Sequence, residues 1–299
     1  MKTLIVLLGP TGVGKTDVSI RLAQYFSCPI ISADSRQIFK EMKIGTAVPD
    51  ETQLNAVKHY FIASHSVHEK YNAGIYEQEA LRLIEKLFTA HNMVLMAGGS
   101  MLYIDIICKG MDDIPSVDVE TRNYWQNLFE INGLKFIQDE LKRLDPVHYS
   151  KVDLSNYKRV LHALEICTIA GKPFSSLRTG LQKERPFRIL KIGLTRDREE
   201  LYQRINARVD QMMFDGLLDE ARKLFPFKNL NALNTVGYKE LFGYFEGEYD
   251  LETAVNKIKK NTRVYARKQL TWFKRDENIH WFHPDQGNEI IQLIEQSIH

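Results

Sequence analysis

The chain has 299 residues, 44% hydrophobic and 26% charged, with a formal net charge of +2. That length allows one large or two modest globular domains, and the near-neutral balance means that bulk charge alone argues for no nucleic-acid partner. Cys28, Cys108 and Cys167 form no C-x-x-C pair, which suggests neither a disulfide framework nor a zinc site and fits the reducing cytoplasm; no stretch reaches the length of a membrane span or reads as a signal peptide.

The first predicted elements frame a motif. Leu4-Ile5-Val6-Leu7-Leu8 is an apolar, β-favouring run long enough for a buried parallel strand. Gly9-Pro10-Thr11-Gly12-Val13-Gly14-Lys15-Thr16 follows and fits G-x-x-x-x-G-K-[ST] at every fixed position. Val18, Leu22 and Tyr25 then recur at helical spacing, with Ile20 and Ala23 widening the stripe. In such a turn the backbone N–H groups converge on phosphate oxygens, and the helix N-terminus adds a favourable dipole. Lys15 supplies a point charge and the Thr16 hydroxyl a ligand for Mg²⁺. This is a nucleotide-binding or ATP-binding type of loop, yet the motif specifies a polyphosphate, not ATP hydrolysis. The plain alternative is a glycine turn that binds nothing.

Ile30-Ile31-Ser32-Ala33-Asp34 predicts a short strand running into a polar cluster, Asp34-Ser35-Arg36-Gln37. In a parallel sheet, ligands lie beyond the carboxyl ends of the strands, so Asp34 falls on the same rim as the glycine loop. A carboxylate there can ligate Mg²⁺, take a substrate proton, or simply cap the next turn. Residues 43–50 read as a loop and His59 to Ile62 as a brief strand. Glu77 to Ala90 is an amphipathic helix and Met93 to Ala97 another buried strand. Gly98-Gly99-Ser100 makes a second glycine turn, either a close backbone approach to a ligand or a plain turn into the helix from Leu102.

Past Gly110 the texture changes. Residues 112–116 read as a linker, and from Asp118 to about Ala170 the chain is helical, charged and without a convincing strand. Gly171-Lys172-Pro173 ends the last of these helices. Strand character returns at Phe187 to Leu194, and helices are predicted for Arg198 to Met213, Leu217 to Leu224, Val236 to Tyr244 and Leu251 to Phe273. The fold class expected is therefore α/β, a P-loop NTPase-like parallel sheet flanked by helices. Residues 1–115 and 187–299 form its core domain, and residues 116–186 an all-helical, lid-like insertion. The last predicted helix carries Lys259, Lys260, Arg263, Arg267 and Lys268, with Tyr265, Trp272 and Phe273 among them, and no acidic residue between Lys257 and Arg275. That is either a nucleic-acid footprint or a solvated face with aromatics in the core. The pairs His65/His68 and His280/His283 lack a third ligand nearby and read as ordinary surface or loop residues.

Several of these stretches together resemble one family, the tRNA dimethylallyltransferases (tRNA isopentenyltransferases), nearly end to end. The shared motifs are the P-loop, residues 32–37, Ile44-Gly45-Thr46-Ala47, Ala97-Gly98-Gly99-Ser100-Met101-Leu102-Tyr103, Gly171-Lys172-Pro173, Gly237-Tyr238-Lys239-Glu240-Leu241 and Thr262 to Phe273. The resemblance implies transfer of a dimethylallyl group from dimethylallyl diphosphate to the exocyclic amine of the adenosine 3′ of the anticodon. The P-loop, Lys15, Thr16 with Mg²⁺, and Arg208 would then hold the diphosphate leaving group, and Asp34 would take the amine proton. The same resemblance places Asp34, Ser35, Arg36, Gln37, Ser100, Arg122, Arg159, Arg263 and Arg267 against the tRNA anticodon stem-loop, with the base flipped from its stack. It implies a cytoplasmic monomer without membrane attachment.

The sequence departs from the family pattern at Ser100, where Thr is common, at Val48 for Lys, at Asn156 for Asp and at His162 for Arg. These changes bear on tRNA choice and affinity more than on the diphosphate. The zinc-finger extension of eukaryotic relatives is absent, which implies a compact bacterial-type enzyme. Three alternatives share parts of the pattern: a small-molecule P-loop kinase, an adenylate isopentenyltransferase and a non-catalytic P-loop RNA-binding module. The basic helix disfavours the first, the basic helix and the large insertion the second, and Asp34 beside the P-loop the third.

Overall fold

The computed structural model describes residues 2–180 and 182–298, in two compact units: Met1–Cys108 with Arg185–His299, and Lys109–Glu184. The first unit opens with β1 (Thr3–Leu8), α1 (Lys15–Tyr25), β2 (Ile30–Ala33), α2 (Glu51–Ala56), β3 (His59–Tyr60), α3 (Ala73–Ala90), β4 (Met93–Gly98) and α4 (Met101–Lys109). The second unit holds α5 (Val119–Leu144), α6 (Pro146–Tyr149), α7 (Tyr157–Ala170) and α8 (Phe174–Leu177). The chain then returns to the first unit through β5 (Arg188–Leu194), α9 (Arg198–Phe214), α10 (Leu217–Leu224), α11 (Tyr238–Phe245), α12 (Leu251–Phe273), β6 (Ile279–Phe282) and α13 (Gly287–Ile298).

The sheet has six strands in the order β3-β2-β4-β1-β5-β6, and every pairing is parallel. β1 lies between β4 and β5 and is buried along its whole length, as its unbroken apolar run requires of a strand covered on both faces. Because the strands are parallel, the segments that follow β1, β2, β4 and β5 all emerge at one rim. That rim collects the P-loop, Asp34, the second glycine turn and Arg196. One core cluster joins the sheet to α1, α9, α12 and α13 through Leu22, Ile192, Leu201, Ile205, Ala266 and Ile290. A second gathers Ile38, Met42, Val209, Leu217, Leu241, Ala254 and Ile258 beneath α10, α11 and α12.

The C-terminal segment corrects the sequence reading. After α12 the chain is not simply at an end: β6 pairs with β5 from Lys191↔Ile279 to Leu194↔Phe282, and α13 follows. The run Ile279-His280-Trp281-Phe282 is short and contains a histidine, so it carries little signal alone. It becomes a strand because it covers an otherwise open sheet edge. His280 therefore lies in a strand, and His283 stands at its carboxyl end, on the functional rim.

In the second unit, Trp125, Ile137, Leu141, Val160, Leu164, Ile166 and Phe174 form a core of their own. Side chains of Asp118, Asp145 and Asn156 accept backbone N–H bonds at the starts of α5, α6 and α7, caps worth about 1 kcal/mol each. Gly133, at φ 76°, interrupts α5, and Gly171, at φ 62°, ends α7 in the left-handed conformation that glycine adopts without strain. The stretch read as a linker is tied down. Asp112 Oδ1 accepts bonds from Thr179 N and Gly180 N at 3.1 and 3.2 Å.

Candidate active site

The glycine loop leaves β1 and enters α1 as the motif requires. Gly12 and Gly14 sit at φ 82° and 106°, where any side chain would be strained. Space excludes one as well: a Cβ on Gly12 would stand 2.9 Å from Ile205 Cγ1, and one on Gly9 would stand 2.7 Å from the Leu194 carbonyl oxygen. The loop is pressed against β5 and α9, and its glycines make that approach possible. Lys15 Nζ donates to the carbonyls of Gly9 and Pro10 at 2.9 and 2.8 Å. Burial lowers the Lys15 pKa to about 8; Asp34 opposes that shift and Arg208 adds to it.

Arginines crowd the same loop. Arg196, just past β5, donates through Nε to the Val13 carbonyl at 2.9 Å and pairs with Glu200. Arg204 Nε donates to the Gly12 carbonyl at 3.0 Å. Arg208, one helical turn on, reaches Thr11 Oγ1 at 3.5 Å. Its pKa is held below the ordinary arginine value by burial, with Asp34 opposing and Arg204 contributing. The loop after β6 completes the wall. His283 Nε2 lies 3.3 Å from Arg196 Nη1, and Pro284 Cβ would be 3.7 Å from a Cβ on Gly14.

Asp34 follows β2 on the same rim, and the second glycine turn, which follows β4, lies between it and the cradle. Its Oδ1 accepts from the N–H groups of Arg36 and Gln37 at 2.8 and 3.2 Å, so it does cap the following turn. The cap fixes the carboxylate and uses only one of its oxygens. The charge of Asp34 reaches Lys15, Arg36 and Arg208. Arg36 is desolvated, which lowers its pKa, and Asp34, Tyr103 and Tyr265 oppose that. Tyr103 in turn stacks on the fully buried Tyr76 with ring centroids 4.0 Å apart, and Tyr76 donates to the Ser32 carbonyl at 2.9 Å. Burial lifts the Tyr103 pKa to about 12, so the phenol stays neutral.

Ser100 docks beside Asp34: its backbone N–H donates to the Ala33 carbonyl at 3.1 Å. A Cβ on Gly98 would fall 2.2 Å from that carbonyl oxygen, so the glycine is required by contact between neighbouring strands. Gly99 faces the P-loop, where a Cβ would stand 3.5 Å from Lys15 Nζ. Ser100 is buried. The side-chain amide of Gln37 is committed to the loop after it, donating to the carbonyls of Thr46 and Ala47 at 3.1 and 2.8 Å. Glu220 holds the same loop from the other side by accepting from the backbone N–H groups of Lys43, Ile44 and Gly45, each at 2.9 Å, and from the Tyr238 hydroxyl at 2.6 Å. Gly45 lets the loop lie flat on the Tyr238 ring.

The remaining expected residues fall into separate places. Arg263 and Arg267 are on α12. Arg263 donates to Asn206 Oδ1 at 2.6 Å and lies over the Tyr202 ring, whereas Arg267 is exposed. Lys259 is paired with Asp210 of α9 at 2.5 Å, so the acid missing from the basic stretch of α12 arrives from a neighbouring helix. In the second unit Arg122 approaches the buried Glu165 at 3.6 Å, with His162 on the other side at 3.5 Å. Arg159 is exposed in the first turn of α7, after its cap Asn156.

Arg196, Arg204, Gln269 and the β6 loop were not read from the sequence as parts of this site. Gln269 had a signal: it is a polar residue on the apolar stripe of α12 shared with Ala266 and Phe273, and it is 2% exposed. Its Oε1 accepts from Thr11 N at 2.9 Å and its Nε2 donates to the Gly99 carbonyl at 2.7 Å, tying the two glycine turns together.

Among the described residues no three His, Cys, Asp or Glu side chains come together as a metal site, and no helix is long and apolar enough to cross a membrane. What the rim offers is an anion cradle with a fixed carboxylate beside it. A protein-family model described as IPP transferase matches residues 37–276. Among curated relatives, tRNA dimethylallyltransferase 1 of Bacteroides fragilis is 58% identical over 297 residues, 99% of each chain. The tRNA dimethylallyltransferase 2 of Parabacteroides distasonis is 56% identical over 298 residues, the full length of both. Among solved structures, the tRNA isopentenylpyrophosphate transferase of Bacillus halodurans superposes with a TM-score of 0.74 at 32% identity, covering 100% of this chain and 97% of that one. A eukaryotic dimethylallyltransferase acting on tRNA gives a TM-score of 0.80 at 26% identity, covering 95% of this chain and 74% of that one. With a glycine cradle, a carboxylate and a second glycine turn on one rim, and with likeness along its whole length, the chain belongs to the tRNA dimethylallyltransferase family, the IPP transferases.

Proposed function

We propose that the protein transfers a dimethylallyl group from dimethylallyl diphosphate to the exocyclic amine of the adenosine 3′-adjacent to the anticodon of tRNA, releasing diphosphate. The observation that carries this reading is the position of Asp34, whose charge reaches both Lys15 and Arg208 of the anion cradle and Arg36 on its own turn. Transfer to an amine needs an acceptor for the amine proton next to the cradle, and Asp34 stands on the same rim. As the carbon–oxygen bond breaks, negative charge grows on diphosphate. Lys15, Arg208 and the loop N–H groups stabilise that charge. Asp34, held through Oδ1, has its other oxygen to take the proton as the carbon–nitrogen bond forms.

Mg²⁺ fits this cradle in one way. With no cluster of acidic side chains among the described residues, the ion would rest on the Thr16 hydroxyl, diphosphate oxygens and water, a common arrangement for a cation that keeps much of its hydration. When bound it would supply further charge neutralisation of the leaving group. The acceptor side is built from Asp34, Ser35, Arg36, Gln37 and Ser100. Arg263 and Arg267, and in the helical unit Arg122 and Arg159, would meet RNA phosphates. The target base would have to leave its stack to reach the rim. The cytoplasm is the expected compartment and the monomer the expected working form.

The test offers the full-length protein Mg²⁺ and dimethylallyl diphosphate with either unmodified tRNA bearing adenosine after the anticodon or free AMP. Modification of tRNA with AMP untouched is the expected result. Turnover on AMP alone would replace this reading with an adenylate isopentenyltransferase.

A further inference from the structure

Gln269 has no part in the chemistry described so far, yet it is a buried side chain with both ends of its amide committed. Its Oε1 takes the Thr11 N–H of the phosphate loop at 2.9 Å, and its Nε2 donates to the Gly99 carbonyl at 2.7 Å. The residue is 2% exposed, and Ala266 and Phe273 pack on the same helix face at 0% and 3%. It therefore has little freedom to swing aside.

The end of the loop at which it stands is identified by Lys15. In a P-loop the backbone amides cradle the α- and β-phosphates and the lysine reaches the β- and γ-phosphates. Lys15 Nζ lies on the carbonyls of Gly9 and Pro10, at the start of the loop, so that start is the distal-phosphate end. Gly99 lies against the same end. A Cβ there would be 3.5 Å from Lys15 Nζ and 2.5 Å from Gln269 Nε2. The Gln269 amide and the Gly99 backbone therefore border the loop at the end that the lysine marks. The electronegative Oε1 also points at the loop, where an added phosphate would bring anionic oxygens.

We propose that Gln269 closes the distal end of the phosphate loop, so that the loop accepts a diphosphate and turns away the third phosphate of a nucleoside triphosphate. The inference rests on the transfer reading only for the identity of the natural diphosphate. Selection between two and three phosphates is built into the loop and is measurable without any transfer. A terminal phosphate can enter only by breaking both Gln269 bonds. Breaking them leaves buried amide and carbonyl groups without partners, which disfavours that entry.

The experiment is calorimetric titration of the full chain, in the presence of Mg²⁺, with inorganic pyrophosphate and with inorganic tripolyphosphate. The wild type should favour pyrophosphate by about tenfold or more. Gln269→Ala should narrow that preference by about tenfold, through a gain in tripolyphosphate affinity with pyrophosphate little changed. Gln269→Asn is one methylene shorter and keeps an amide. It should move the preference the same way by less, and it carries the test if the alanine variant does not fold by circular dichroism. Equal binding of the two anions to the wild type would overturn the proposal, as would parallel loss of both in the variants. If the preference holds but no tRNA is modified, the transfer reading fails and the closure stands. If tRNA is modified but the wild type binds both anions equally, the closure fails and the transfer reading stands.

Discussion

The phosphate rim and helix α12 are both rich in positive charge, but they hold it differently. At the rim, Lys15, Arg36 and Arg208 are desolvated and feel a single carboxylate, Asp34. On α12, Lys260, Arg267 and Lys268 face solvent, while Lys259 is neutralised by Asp210 and Arg263 is bonded to Asn206. In the proposed reaction, charges in the first arrangement would act on bond making and breaking, because low dielectric magnifies them and geometry fixes them. Charges in the second would act on association with RNA, through screened attraction that salt weakens. The two regions should therefore fail differently when their residues are changed.

The largest effect is expected at Asp34. Asp34→Ala removes the proton acceptor and should cut turnover by roughly 10²–10⁴-fold while tRNA affinity, measured by filter binding, stays nearly unchanged. Equal collapse of both would make Asp34 a recognition residue and blur the contrast. Lys15→Met comes next, with an expected loss of roughly 10²–10³-fold in turnover, read by single-turnover kinetics at saturating donor. The pH profile gives a smaller effect of known sign. Lys15 must carry its proton to attract diphosphate, and burial brings its pKa to about 8. Accordingly kcat/KM for dimethylallyl diphosphate should fall as pH rises through that value, by about tenfold per pH unit beyond it. Lys15→Met should lack this limb.

Arg267→Ala should leave turnover at saturation intact, weaken tRNA binding and lower the salt slope of affinity by about 1. Lys259→Ala, already paired with Asp210, should change the slope least of all. A slope change at Lys259 matching that at Arg267 would show that the pairing does not mute its charge.

What could be read in advance follows the range of the interactions. The P-loop lies within eight consecutive residues, and its strand and helix flank it directly, so periodicity and spacing suffice. The strand before Asp34 places it on the rim, and its bonds to Arg36 and Gln37 show that it caps the next turn through one oxygen, which leaves the proposed chemical role compatible with the cap. β6 stayed hidden because a short run with an internal histidine becomes a strand only through the β5 edge it covers. Asp210 was out of reach for the same reason, and Gln269 showed only as a polar residue on an apolar stripe, with no sign of what it bonds. Their partners lie on other helices or loops, as in the bond between Gln269 and Thr11, and only the packing of α12 on α9 and the sheet brings them together. The glycines of residues 98 and 99 illustrate a subtler case. Their sequence leaves a ligand approach and a plain turn both open, and close contact with Ala33 and Gln269 accounts for the glycines without choosing between them.

The central claim is that the glycine cradle serves a leaving group, not a hydrolysed nucleotide. The most direct measurement counts diphosphate released against dimethylallyl groups found on the adenosine after the anticodon, by mass spectrometry of digested tRNA, with ATP supplied in a parallel reaction. The account predicts equal amounts of the two products, and neither ADP nor orthophosphate from ATP. Unmodified tRNA together with phosphate release from ATP would contradict it.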